Sequence, residues 1–165
     1  MEGDNHNTER VYLQLLIDAM GKKMAILGRL IEVTGEQEAL MEAENFDDDG
    51  FLHTISVKED QLAELEAVDQ GFDRVFELVK EEVLENRFKY EVQIKALQGY
   101  ITAITDKSVK LQAMELRNKA KMETLLANKR KELRRSRVST QSVSKYYRSM
   151  TNHAEEQSFF YDKKK

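Results

Sequence analysis

Cysteine, proline and tryptophan are all absent from this 165-residue chain, and glycine occurs only seven times. Without cysteine there is no disulfide, no thiol nucleophile and no thiolate metal site, a profile compatible with a reducing compartment. Long apolar runs are also missing. Stretches such as Leu15-Leu16-Ile17 fall far short of a membrane span, and the polar segment from Met1 to Glu9 has no apolar stretch of the kind that marks a secretory leader. A soluble, cytoplasmic protein is the expectation. Catalytic signatures are lacking in the same way: no glycine-rich phosphate loop, no GxSxG, and no HxxxH, HExxH or Glu-x-x-His spacing among His6, His53 and His153. No enzymatic activity and no cofactor are expected.

What is present is charge and helical periodicity. Charged residues make up 34% of the chain and hydrophobic ones 41%, the balance of long helices with exposed faces. The length suits one domain with a moderate core. The fold class expected is all-α, an antiparallel three-helix coiled-coil bundle with an overhanging long third helix.

Three seams at alternating steps of three and four support this. The first, over residues 8–44, reads Leu13, Ile17, Met20, Met24, Leu27, Ile31, Thr34, Glu38 and Met41. The second, over 48–85, reads Ile55, Lys58, Leu62, Leu65, Asp69, Phe72, Phe76, Val79 and Val83. The third, over 88–137, reads Tyr90, Ile94, Leu97, Ile101, Ile104, Ser108, Leu111, Glu115, Asn118, Met122 and Leu125. Residues 1–7 read as a disordered lead, and 138–165 as a flexible or partner-ordered amphipathic tail.

Asn86 is the break expected before the third helix, and Gln70-Gly71 is a point where the second helix bends. Gly21, Gly28 and Gly35 recur every seven residues beside the first seam. They suit close backbone approach, with Gly99 between Ala96 and Ala103 as the matching small surface; chance is the alternative. Asn45-x-Asp47-x-Asp49-Gly50 imitates the first half of a calcium loop, but Ser56 stands where the bidentate glutamate belongs. A capped turn is therefore expected there, with an aspartate at the start of the second helix.

A third helix of about 50 residues would outreach companions of about 37 by roughly 20 Å. The overhang would begin near Leu125, leaving Leu125, Leu126 and Leu133 without facing partners in the chain. Val138, Val143, Tyr146, Tyr147 and Met150 continue an apolar spacing suited to docking a partner helix. Charge is divided unevenly around this end. Glu36 to Glu85 holds seventeen acidic residues against three basic ones, and Arg117 to Arg148 holds eleven basic against two acidic. The basic stretch Lys129 to Arg137 is open to three readings: a solvated helix end favoured by the helix dipole, a docking site for an acidic protein surface, or a contact for phosphates or an anionic membrane. It lacks the interleaved aromatics of a nucleic-acid reader, so neither nucleic acid nor stable membrane insertion is expected.

The run Leu111-Gln-Ala-Met-Glu-Leu-Arg-Asn118, then Leu125-Leu126, the basic stretch Lys129 to Arg137 and Val143-Ser-Lys-Tyr-Tyr147 together resemble the FlgN family of flagellar export chaperones. Met122 stands where that family commonly has leucine, and only one clear asparagine is present. The resemblance implies a cytoplasmic chaperone of the flagellar type III secretion system. It would bind the apolar helical ends of hook–filament junction proteins at Leu125, Leu126 and Leu133, and the cytoplasmic domain of the export gate through Tyr146 or Tyr147. A chaperone for the filament cap is the related option. Two competing classes are a structural coiled coil that self-associates, as a homodimer, through its C-terminal helix, and a basic helical adaptor for nucleic acid.

Overall fold

The computed structural model describes residues 2–128 and 130, and among them every regular element is an α-helix. Helix α1 spans Glu2–Glu42, α2 Asp48–Glu85 and α3 Glu91–Asn128. Pairs of bonded residues fix their directions. Lys23 meets Asp69 and Gln37 meets Thr54, so α1 and α2 run antiparallel. Thr34 meets Glu115 and Glu38 meets Lys121, so α1 and α3 run parallel. The result is an up-down-up bundle, as the two short connections require.

Helix α1 is the hub. Backbones approach closely between α1 and each of its neighbours, whereas α2 and α3 meet mainly through side chains. This explains a difference from the seam expected for α1. Leu13, Met20, Leu27, Thr34 and Met41 are buried as anticipated, but the alternate positions are Leu16, Lys23, Leu30 and Gln37, with Ile17, Met24, Ile31 and Glu38 only half-buried. A helix packed between two others buries two adjoining strips, and Lys23 and Gln37 disguised the second one. The main core gathers Leu13, Leu16, Leu30, Leu65, Leu97, Ile101, Ile104 and Leu111. Each such side chain contributes about 1.5–3 kcal/mol by leaving water.

The connections follow local chemistry. Asp47 caps α2 by accepting from the Gly50 amide at 3.0 Å, which satisfies one of the donors a helix start leaves unpaired. A β-carbon at position 50 would collide with that carboxylate, so a larger residue there would make Asp47 shift from its capping position. Helix α2 continues through Gly71 without a break. It ends at Asn86, whose amide reaches back to the Glu82 carbonyl at 3.0 Å. Tyr90 then locks the turn from the α3 side, donating to Glu82 Oε1 at 3.2 Å.

One expectation is corrected here. Helix α1 begins at Glu2, inside the segment expected as a disordered lead. The described part of α3 runs 38 residues against 38 for α2 and 41 for α1. Lys121 pairs with Glu38 and Glu42, so the last turns of α3 lie level with the end of α1 and the loop after it. Residues 131–137 of the expected helix, and the tail 138–165, lie outside the described residues.

The glycine ladder has a different partner from the one expected. Positions 21, 28 and 35 look toward Tyr100, Lys107 and Met114 of α3, themselves seven residues apart, while Gly99 faces open space. Added β-carbons at 28 and 35 would meet only Lys107 Nζ and Met114 Cε, each at 3.9 Å, an ordinary contact with a flexible side-chain end. Close approach is therefore not what holds these glycines. Gly28→Ala with Gly35→Ala is expected to raise unfolding free energy by about 1–2 kcal/mol through helix propensity. Urea unfolding followed by circular dichroism checks this, and a loss of stability would restore the close-packing explanation.

Candidate functional site at the C-terminal end of α1 and α3

Polar seam positions from all three helices converge in one buried layer. Lys58 of α2 donates to Gln37 Oε1 of α1 at 2.7 Å and to Glu115 Oε1 of α3. The Thr34 hydroxyl lies 2.9 Å from the same Glu115 oxygen and 2.7 Å from the Leu30 carbonyl. Gln37 Nε2 donates to Thr54 Oγ1 at 3.1 Å, and Asn118 Nδ2 to the Thr34 carbonyl at 2.9 Å. Lys58 is 5% exposed and Glu115 3%. Desolvation depresses the Lys58 pKa, and the adjacent Glu115 carboxylate offsets this only in part. Asn118 Oδ1 is buried with no hydrogen-bond partner among the described residues.

This layer divides the interior. On one side lies the main core. On the other is a smaller cluster of Met41, Phe51 and Met122, with Leu40, Phe46, Ile55, Leu125 and Leu126 packed on it. The Phe46 and Phe51 rings sit 5.5 Å apart, tilted by 49°. Between the ends of α1 and α3 an open groove of about 460 Å³ is walled by Met41, Glu42, Ala120, Lys121, Thr124, Leu125 and Asn128. Its mouth carries an ion cluster, with Lys121 Nζ 2.9 Å from Glu38 Oε1 and also on Glu42.

The structure thus alters the expected status of two candidate residues. Leu125 and Leu126 do have partners in the chain, being half-buried against the Met41, Phe51 and Met122 cluster, and Leu125 also forms a wall of the groove. The physical reason is that the last described turns of α3 lie beside the end of α1 and the loop after it. Leu133, Val138, Val143, Tyr146, Tyr147 and Met150 lie outside the described residues. Sequence reading overlooked Met41, Phe46, Phe51 and Met122 as parts of this site. The signal was available, since Met41 and Met122 close two seams and the two phenylalanines flank the Asp47-Asp48-Asp49 cap.

No family model, curated protein or solved structure matches the chain. Among the described residues, no group of three or more His, Cys, Asp or Glu is placed to hold a metal ion, and no helix is long and apolar enough to cross a membrane.

The buried layer and the groove mouth respond differently to change. Removing one partner of a buried ion pair strands the other charge, so Lys58→Met is expected to cost about 3–5 kcal/mol, while Lys58→Met with Glu115→Leu recovers at least half of that loss. Chemical denaturation of the four proteins of the cycle tests the coupling, which is disproved if the two losses simply add.

At the groove mouth, hydrogen bonding from Lys121 holds the Glu38 pKa below the ordinary carboxylate range, and the hydrogen bonds Lys121 donates to Glu42 and Glu38 hold its own pKa above that of a free lysine. Glu38 therefore stabilises the fold above its unfolded pKa, and this is lost as pH falls through the depressed folded value. Lys121 stabilises below its unfolded pKa, and that contribution is lost as pH rises through the raised folded value. Lys121→Met should return the Glu38 titration upward, a shift read directly from its carboxyl carbon by NMR. An unchanged Glu38 midpoint would disprove the assignment.

Proposed function

We propose that this chain is a cytoplasmic export chaperone of the flagellar type III system. It would hold the apolar helical end of a hook–filament junction protein in the groove between the C-terminal ends of α1 and α3. The observation that carries the reading is an open groove of about 460 Å³ with Met41, Ala120 and Leu125 in its walls. It coincides with Leu125, one of the residues through which the chain resembles the FlgN family. Methionine at Met41 and Met122 suits the purpose, because an unbranched thioether repacks around differing side chains at low cost. A client segment that is helical and apolar on one face would cover the groove in the helix-in-groove manner.

Such a role needs no nucleotide and no metal. Shielding the client's apolar stripe prevents premature assembly, and release exchanges one amphipathic neighbour for another at the export gate. In this reading Tyr146 and Tyr147 serve the gate rather than the client.

Thr124 is exposed and lines the groove, so Thr124→Trp fills it without removing a core side chain. This substitution is expected to weaken binding of a hook–filament junction subunit at least about tenfold, with helicity unchanged by circular dichroism. Tyr146→Ala with Tyr147→Ala should leave that affinity intact while weakening capture by the gate's cytoplasmic domain. Calorimetric titration with purified subunit and gate domain decides both points. Full client affinity in the tryptophan variant removes the groove from consideration.

A further inference from the structure

The groove between the ends of α1 and α3 is apolar within and acidic on its α1 side. Met41, Ala120 and Leu125 give it apolar walls. From Glu36 to Asp49, which covers the last turns of α1 and the connection to α2, there are seven Asp and Glu and no Lys or Arg. The facing stretch of α3, Ala120 to Asn128, carries only Lys121 and Glu123 as charged residues, and Lys121 is already engaged by Glu38 and Glu42. Glu44 and Asp49 are exposed and form no salt bridge among the described residues. Helix α1 also directs the negative end of its dipole here, with no basic residue in its last turn.

We propose that the groove is occupied, before any partner arrives, by the chain's own segment from Lys129 to Arg137. That segment holds six Lys and Arg against Glu132, with Leu133 at its centre. It begins where the groove does, because Asn128, the residue before it, is one of the walls. Four residues separate Asn128 from Leu133, enough for a chain to reverse direction at the end of a helix. Leu133 then covers Met41 and Leu125, and the arginines that follow it are brought to Glu44 and Asp49. The tether holds the segment at an effective concentration on the order of millimolar. The acidic protein surface that suits this basic stretch is therefore the chain's own α1–α2 connection.

Charge and the tether select this occupant over others. A second bundle brought end to end would set one acidic connection against another. The same segment supplied by another molecule would forgo the tether. Further along the chain, residues 138–153 carry only Lys145 and Arg148 as Lys or Arg, a weaker match to seven carboxylates than the six of Lys129 to Arg137. One consequence rests on the chaperone reading. A client must displace the chain's own segment to enter, and because the contact is largely between exposed charges, entry becomes easier as ionic strength rises.

The chain has no cysteine, so Ser136→Cys carries a single nitroxide label in the full-length protein. Amide signals of residues 43–49 should be broadened by that label, and less so with added salt. Arg134→Glu with Arg135→Glu, and separately Glu44→Lys with Asp49→Lys, should each abolish the broadening, and combining both reversals should restore it. Circular dichroism should not change, since Glu44 and Asp49 are exposed. Each single reversal should also raise affinity for a hook–filament junction subunit about threefold or more, because the groove is then free. Broadening indifferent to both reversals, a combined variant that does not regain it, or an unchanged subunit affinity would each overturn the proposal. So would broadening of an isotope-labelled chain by a spin-labelled one mixed with it, which assigns the segment to a second copy. The label decides the contact by itself; the chaperone reading fails separately if wild type and both variants bind no junction subunit.

Discussion

The bundle depends on the ion pair between Lys58 and Glu115, because it joins the two helices whose backbones scarcely approach. Helix α1 binds each neighbour through its own apolar strip, while α2 and α3 share only side chains of the common core, Leu65, Phe72 and Val79 with Leu97, Ile101 and Ile104 among them. Lys58 reaches across to Glu115 and simultaneously grips Gln37 of α1, so one ammonium closes the triangle. Burying it is unfavourable in itself, as its depressed pKa records. What offsets the cost is specificity: a shift of α3 by one turn along α1 would strand Lys58, Glu115 and Asn118 in the interior together. A second buried pair, Lys23 with Asp69 at 3.0 Å, fixes α1 against α2 in the same manner about three turns away.

A polar layer also limits how far cooperativity spreads. Apolar packing runs through the main core around the Lys23–Asp69 pair, stops at Thr34, Lys58 and Glu115, and resumes in the cluster of Met41, Phe51 and Met122. That smaller cluster holds few side chains, two of them methionines, and ends beside an open groove. Its local opening requires breaking far less contact than opening the main core does. An end that opens while the register stays locked is the mechanical consequence. The buried oxygen of Asn118, with no partner in the described residues, lies at that division.

The polar residues that interrupt the seams were visible before any coordinates. Lys58, Asp69, Glu115 and Asn118 stood in apolar registers where solvated residues would be wasteful, and the cap at Asp47 and the break at Asn86 followed from turn chemistry. The pairing of those polar residues was not legible, because periodicity reports which face is inward and not which neighbour it meets. The same limitation hid the second strip of α1, whose Lys23 and Gln37 read as surface until α2 supplied Asp69 and Thr54. The glycine ladder misled for a related reason: a seven-residue spacing appears both in α1 and in the bulky Tyr100, Lys107 and Met114 opposite, and only coordinates show large meeting small.

The described part of α3 reaches Asn128, and its apolar seam ends at Leu125, which packs on the cluster of Met41, Phe51 and Met122. Residues 131–137, which periodicity assigns to the same helix, lie outside the described residues. Among the described residues the site arises from a turn. Helix α1 finishes at Glu42 and the chain bends away through Phe46 toward α2, while α3 continues straight to Asn128. The gap between a chain that turns and one that does not is the groove, and Leu125 faces it because the seam of α3 outlasts the helix it packs on.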